Sequence, residues 1–281
     1  MQNIKIFAFS DEVGANIDKQ INALMRNNLN GMEIRNVDGT NISDIMADKA
    51  KEVLKKLEDK GLRVWSIGSP IGKININDPF EGHLEKFKHT LEIAEILKAE
   101  KIRLFSFYMP EGENPENYKE KVLNRLNSFV SVAKDYNITL CHENEKGIFG
   151  DIPERCAVIH KALPKIKAVF DPANFVQCNV NTLDAWETLK EYVDYMHIKD
   201  ADNDGIIVPA GKGIGNIGAI ARDYISREGN TFTMEPHLFD FDGLKNLEQA
   251  NEATKIGGAF ADADEAFDTA CNSFKNILRG E

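Results

Sequence analysis

Eight short apolar runs, rich in β-branched and aromatic residues, alternate along the chain with longer segments whose apolar positions recur at helical spacing. The runs begin near Ile4 (IKIFAF), Gly31 (GMEIR), Leu62 (LRVWSIG), Ile102 (IRLFSF), Ile138 (ITLCHE), Lys167 (KAVFD), Asp194 (DYMHI) and Thr231 (TFTME). They recur roughly every 32 residues, close to the ~31 that one strand, one helix and two loops take in a (β/α)8 barrel. Between them, Lys49–Leu62 sets Ala50, Val53, Leu54 and Leu57 on one helical face, with Gly61 where a glycine ends a helix. His83–Leu97 and Tyr118–Ala133 carry similar stripes. The segment from Ala263 to Leu278, with Ala266, Phe267, Ala270, Phe274 and Leu278, is expected to close the ring as the eighth helix.

An open doubly wound sheet gives the same alternation, so count and length decide, and they favour a closed barrel. An open nucleotide-binding sheet also wants a Gly-rich turn after its first strand, where this chain has SDEVG from Ser10 to Gly14. The expected architecture is a single (β/α)8 TIM barrel spanning residues 1–281, with no Pro/Ser-rich linker to divide it. The GKGIG at Gly211–Gly215 follows the seventh run and reads first as a mobile glycine loop. Its place still matters, because barrel loops after strands seven and eight often bind phosphate or hydroxyl groups.

Composition narrows the partners. Apolar residues make up 42% and charged residues 28% of 281, which is ordinary for a globular chain and excludes wholesale disorder. The 34 basic and 45 acidic residues leave a net charge of −11 with no long basic run, so a nucleic-acid partner is not expected. No stretch approaches ~18 apolar residues, so no membrane span is expected either. The opening MQNIKIFAFSDEV lacks the basic region and long apolar core of a secretion signal. Cys141, Cys156, Cys178 and Cys271 are scattered without a C-x-x-C. Together these lead to an expectation of reduced thiols in the cytoplasm. Assembly of identical copies is compatible with the sequence.

The strand ends carry the candidate chemistry. In a parallel barrel the carboxyl ends of all strands converge on one face, where catalytic groups sit. The fifth strand is expected to end in Glu143, the sixth in Asp171, the seventh in His197 and the eighth in Glu235. Alternation along a strand supports convergence. With these four inward, Leu140, Phe170, Met196, Ile198, Phe232 and Met234 face the helices. The same parity turns His142 outward, into a supporting role. Two carboxylates ~4 Å apart repel by roughly 4 kcal/mol at an effective dielectric near 20, so a cation between them is the economical solution. Three carboxylates and one imidazole, without sulfur, suit one divalent ion, Mn²⁺, Mg²⁺ or Co²⁺, with Zn²⁺ also compatible.

With GMEIRNVDGTN, SIGSPIGKI, HENE, FDPANF, HIKDA and MEPHL following the second, third, fifth, sixth, seventh and eighth strands, the chain resembles the xylose-isomerase-like TIM-barrel superfamily of sugar and sugar-phosphate isomerases and epimerases. The resemblance implies a divalent ion held by Glu143, Asp171, His197 and Glu235. It also implies that Glu143 and Glu235 flank the sugar and move protons. That chemistry suits the residue types. Removing a proton beside a carbonyl builds an ene-diolate whose charge a bound cation stabilises, and a carboxylate can act as the base. One departure bears on the 3-epimerase reading and not on the metal site. Ketose 3-epimerases of this superfamily usually carry histidine three residues after the sixth-strand aspartate, and here that position is Asn174.

Further pocket candidates are Glu33 and Arg35, which share a parity on the second strand, Lys73 after SPIG, Tyr108 beside Phe107 as an apolar wall, Asn174, Lys199 and His237. Trp65 reads as barrel packing. The leading expectation is a metal-dependent isomerase or epimerase of a small-molecule sugar or related polyol, phosphorylated or free. A lyase or dehydratase on a 3-keto-sugar or 3-keto-glycoside shares its first proton abstraction. A phosphodiesterase like the endonuclease branch is the weakest reading. That branch draws extra histidines from strands three and four, whose ends here carry Ser69 and Phe107–Tyr108.

Overall fold

A computed structural model of the chain describes residues 4–241 and 255–281. Eight strands form the barrel: β1 (Lys5–Ala8), β2 (Gly31–Ile34), β3 (Arg63–Gly68), β4 (Lys101–Leu104), β5 (Thr139–Glu143), β6 (Ile166–Phe170), β7 (Val193–Ile198) and β8 (Thr231–Met234). They close in the order β1-β8-β7-β6-β5-β4-β3-β2, and neighbours run parallel throughout. The seam closes where Lys5–Ala8 pair with Thr231–Met234. Every run read from the sequence is a barrel strand, with its start moved by one residue at most.

The helices are α1 (Ile17–Arg26), α2 (Ala47–Glu58), α3 (Glu81–Ile96), α4 (Lys119–Ala133), α5 (Pro153–Ala162), α6 (Pro172–Gln177), α7 (Thr182–Leu189), α8 (Ile217–Ser226) and α9 (Ala263–Arg279). α2 starts and stops earlier than its apolar stripe suggested. Gly61 takes φ +70. Its N–H donates to Glu58 O at 2.9 Å, and the Leu62 N–H donates to Leu57 O at 3.0 Å. This pair of bonds ends the helix at the left-handed glycine. Two helices follow β6, because Pro172 opens α6 immediately at the strand end.

Strand alternation sorts the side chains as a buried sheet requires. Leu140, Phe170, Met196, Ile198, Phe232 and Met234 join the main core against the helices. Cys141, Val169 and Tyr195 form a separate inner cluster. Trp65 also packs inside, stacked on Phe7 at 5.3 Å between centroids. Gly31 opens β2 at φ +150, and a Cβ there would lie 1.9 Å from Arg63 O on the adjacent strand. Gly31→Ala is therefore expected to cost about 3 kcal/mol in a urea melt with unchanged slope, through backbone strain and overpacking. A cost below about 0.5 kcal/mol would contradict this packing.

The GKGIG segment is not loose. Asp200 accepts from Gly211 N at 2.8 Å, Gly213 N at 3.1 Å and Gly215 N at 2.9 Å, binding the loop to the end of β7. Among the described residues no helix is long and apolar enough to cross a membrane.

Candidate metal centre

The barrel brings the four strand-end residues together. One donor atom each of Glu143, Asp171, His197 and Glu235 lies within 4.8 Å of every other, and all four residues are buried. That upper bound is a little above the ~4.2 Å between donors on opposite sides of an ion with bonds of about 2.1 Å. Local chemistry fixes each group. Asp171 caps α6, accepting from Asn174 N through Oδ1 at 3.0 Å. This leaves its Oδ2 buried without a hydrogen-bond donor. Lys199 Nζ is 2.9 Å from that oxygen, so the contact is ionic and not an aligned hydrogen bond. His197 turns Nε2 to Glu33 Oε2 at 3.1 Å and Nδ1 toward Glu143 Oε1 at 3.0 Å and Glu235 Oε2 at 3.2 Å. A carboxylate holding one ring nitrogen while the other faces a cluster of oxygens is the usual support for a ligating histidine.

Charge supports the same reading. Six buried carboxylates, Asp11, Glu12, Glu33, Glu143, Asp171 and Glu235, share one network with three buried basic groups, Arg35, Arg103 and Lys199. Burying so unbalanced a set is costly unless protons or a cation make up the difference. The donor set and the undonated Asp171 Oδ2 both fit a divalent ion.

Titration follows from these contacts. Burial pushes Asp171 up to about 7, against the pull of Lys199 and with the help of Glu143 and Glu235. Burial also works against ionised Glu143, but His197 and Arg103 beside it prevail and hold it down at about 2. Glu235 is held well below the usual range against the same burial penalty, chiefly by Lys199 and His197. His197 loses to burial but gains more from Glu143 and Glu33, so it sits well above the usual imidazole value. At pH 7, therefore, without an ion the cluster would carry protons on His197 and partly on Asp171. Divalent-ion binding must displace them, so uptake is expected to release roughly one to two protons and to tighten as pH rises. Calorimetry in two buffers of different ionisation enthalpy measures this release. Heats independent of the buffer would contradict it.

The other candidates fall in distinct places. Glu33 is fully buried beneath His197, accepting from Tyr195 OH at 2.8 Å and Ser66 Oγ at 3.2 Å. Arg35 is buried between the rings of Phe9 and Phe241. It forms a bidentate pair with Asp11 at 2.9 and 3.0 Å and reaches Glu235 Oε1 at 3.1 Å. Lys199 Nζ also lies 3.2 Å from Glu235 Oε2. Asn174 donates to Glu143 Oε1 at 3.3 Å and to Asn144 O at 2.9 Å. The His237 N–H donates to Glu12 Oε2 at 2.7 Å, and its Nε2 lies 3.5 Å from Glu235 Oε1. Lys73 pairs with Glu145 at 3.1 Å over the Phe105 ring. Tyr108, half-buried, bridges Asn75 and Ile148 through its backbone. Phe107 does not belong to a pocket wall. Its ring packs on Phe80 and Phe129 in the helical layer. His142 faces outward as parity required, with Nε2 2.9 Å from Ser106 Oγ.

Sequence reasoning passed over Arg103, whose Nη1 donates to Glu143 Oε2 at 2.7 Å. A basic residue inside the buried IRLFSF run, on the parity of the inner face, was the available clue. It also passed over Asp11 and Glu12, which look like loop acids until Arg35 is placed beside them.

A family model described as a xylose isomerase-like TIM barrel matches residues 21–223. No curated protein sequence matches the chain. Among solved structures, a D-psicose 3-epimerase determined in the presence of D-fructose is similar at TM-score 0.75 and 15% identity, covering 99% of this chain and 100% of that one. The apo 3-keto-D-glucoside 4-epimerase from E. coli is similar at TM-score 0.70 and 15% identity, covering 98% and 99%. A probable 3-DHS dehydratase involved in petrobactin synthesis in Bacillus anthracis is similar at TM-score 0.74 and 15% identity, covering 97% and 99%. At these identities the likeness is one of fold.

Proposed function

The chain belongs to the xylose isomerase-like TIM-barrel family, and from that premise we propose that it is a divalent-metal-dependent isomerase or epimerase of a sugar or related polyol. The observation that carries this reading is the pairing of Glu143 and Glu235 across a four-donor cluster, each glutamate held by its own cations. Glu143, Asp171, His197 and Glu235 would hold the ion, for which Mn²⁺ is the first choice given three oxygen donors and one nitrogen. When bound, the ion would polarise the substrate carbonyl and steady the negative charge that follows proton loss.

The chain's own residues supply the proton transfer. Glu143 and Glu235 are both ionised at neutral pH, because the cations beside them oppose the burial penalty. Each is therefore ready to accept a proton without a prior deprotonation. Arg103 fixes Glu143 through Oε2, while Arg35 and Lys199 hold the two oxygens of Glu235. The glutamates come from β5 and from the end of β8, non-adjacent strands of the ring. In this reading one removes a proton from a carbon beside the carbonyl and the other returns one from the opposite side. Return to the same carbon is epimerisation, and return to its neighbour is isomerisation.

Incubation of the Mn²⁺-loaded protein with a panel of ketoses in D₂O is expected to place deuterium next to the carbonyl. Absence of exchange across the panel would remove this reading. Elimination is the second reading: it shares the first proton abstraction, and Asn174, an amide donating to Glu143 where ketose 3-epimerases usually carry histidine, weakens the 3-epimerase form of the first reading. Loss of a β-substituent from a 3-keto-glycoside, with free ketoses inert, would select the lyase instead.

A further inference from the structure

We propose that the substrate of this site is an uncharged sugar or polyol, bearing neither a phosphate nor a carboxylate. The inference rests on the isomerase or epimerase reading above and narrows it to a class of substrate.

Recognition of a phosphate or carboxylate needs cationic or backbone donors directed at its oxygens. Among the described residues, Arg35 spends its donors on Asp11 and Glu235, Arg103 neutralises Glu143 through Nη1 with its buried Nε unbonded, and Lys199 sits between Asp171 and Glu235. Lys73, further out, pairs with Glu145. Taking Arg35, Arg103 or Lys199 for a substrate anion would strip a buried carboxylate of its counter-ion.

The backbone tells the same story. The loop after the seventh strand is where barrels commonly place N–H groups around a phosphate. Here Gly211, Gly213 and Gly215 do converge their N–H groups on an anion, but the anion is the Asp200 carboxylate. Asp200 is buried, so the nest is filled from within. Finally, six carboxylates against three basic groups, even beside one divalent ion, leave the network without an excess of positive charge to offer an anion. Hydroxyl groups both donate and accept. They can share carboxylate oxygens and the amide of Asn174 without breaking an ion pair.

The test compares matched ligands on Mn²⁺-loaded protein by calorimetry: D-fructose against D-fructose 6-phosphate, and D-tagatose against its 6-phosphate. The neutral member is expected to bind at least tenfold more tightly. Equal affinity within a pair, or tighter binding of the ester, would overturn the inference. Inorganic phosphate alone at millimolar concentration is expected to leave the melting temperature unchanged, and a phosphate-dependent rise that disappears in Asp200→Glu would also overturn it. Solvent deuterium exchange separates this inference from the reading beneath it. Exchange confined to phosphorylated ketoses would overturn the uncharged class and leave the isomerase or epimerase standing. Exchange into neither would remove the enzyme reading, while the binding comparison would still decide the charge class.

Discussion

Glu143→Gln and Glu235→Gln are each expected to lower turnover on the order of 10³-fold, within the range that a positioned general acid or base contributes. Glutamine keeps the shape of each side chain, and its carbonyl oxygen can still accept from Arg103 or Arg35. The barrel should therefore remain folded. What is lost is the ionised oxygen that takes up the proton. The two variants should also differ in a way that a structural defect would not produce. If the proton leaves toward Glu143 and returns from Glu235, the Glu235→Gln protein still exchanges solvent deuterium into the starting sugar while failing to make the product. Glu143→Gln should do neither from the same starting sugar. Mass spectrometry of recovered substrate and product reads both outcomes, and full turnover in both variants would contradict the assignment.

Arg35→Met is expected to destabilise the protein by about 3–5 kcal/mol, the cost of breaking a buried ionic network from one side. Arg35 is only 1% exposed and contacts Asp11, Glu12 and Glu235. Methionine fills part of the volume between Phe9 and Phe241 but bonds none of the three carboxyl groups. For a chain of this size the fall in melting temperature should be roughly 10 °C. The deficit should also depend on pH. Glu12, pushed by burial from 4.5 to about 8 despite Arg35, binds more protons folded than unfolded between those values. Its contribution to stability is therefore present at acid pH and is lost as pH rises toward 8. Without Arg35 the folded value climbs further, so the gap between variant and wild type should stay level from pH 5 to about 7 and widen as pH rises through 8, where Glu12 ionises in the folded wild type alone. A gap that stays constant through that rise would point to lost packing alone.

The strands and the ligand cluster were legible for one physical reason. A strand buried on both faces advertises itself as a β-branched run, and period-two alternation then states which residues share the inner face. Glu143, Asp171, His197 and Glu235 each interrupt such a run at its carboxyl end, so their convergence could be argued before any coordinates. The supporting layer was harder to read. Arg103 and Tyr195 lie inside runs where neighbouring apolar residues dominate the pattern, and their value depends on partners from other strands. Asp11 and Glu12 sit in a short turn after β1, where acidic residues are ordinary. Glu33 shows how parity leaves depth undecided: it fixes the inner face, but only the stagger of the strands places the carboxylate beneath His197. The glycines of GKGIG suggest freedom, and the residue that removes it, Asp200, lies eleven positions upstream of the first of them.

The account stands most directly on a crystal of the protein grown with Mn²⁺ and measured at the manganese absorption edge. A single anomalous peak bonded to Glu143, Asp171, His197 and Glu235 is the predicted result. A cluster free of anomalous density at saturating Mn²⁺, or a peak held by other residues, would contradict it.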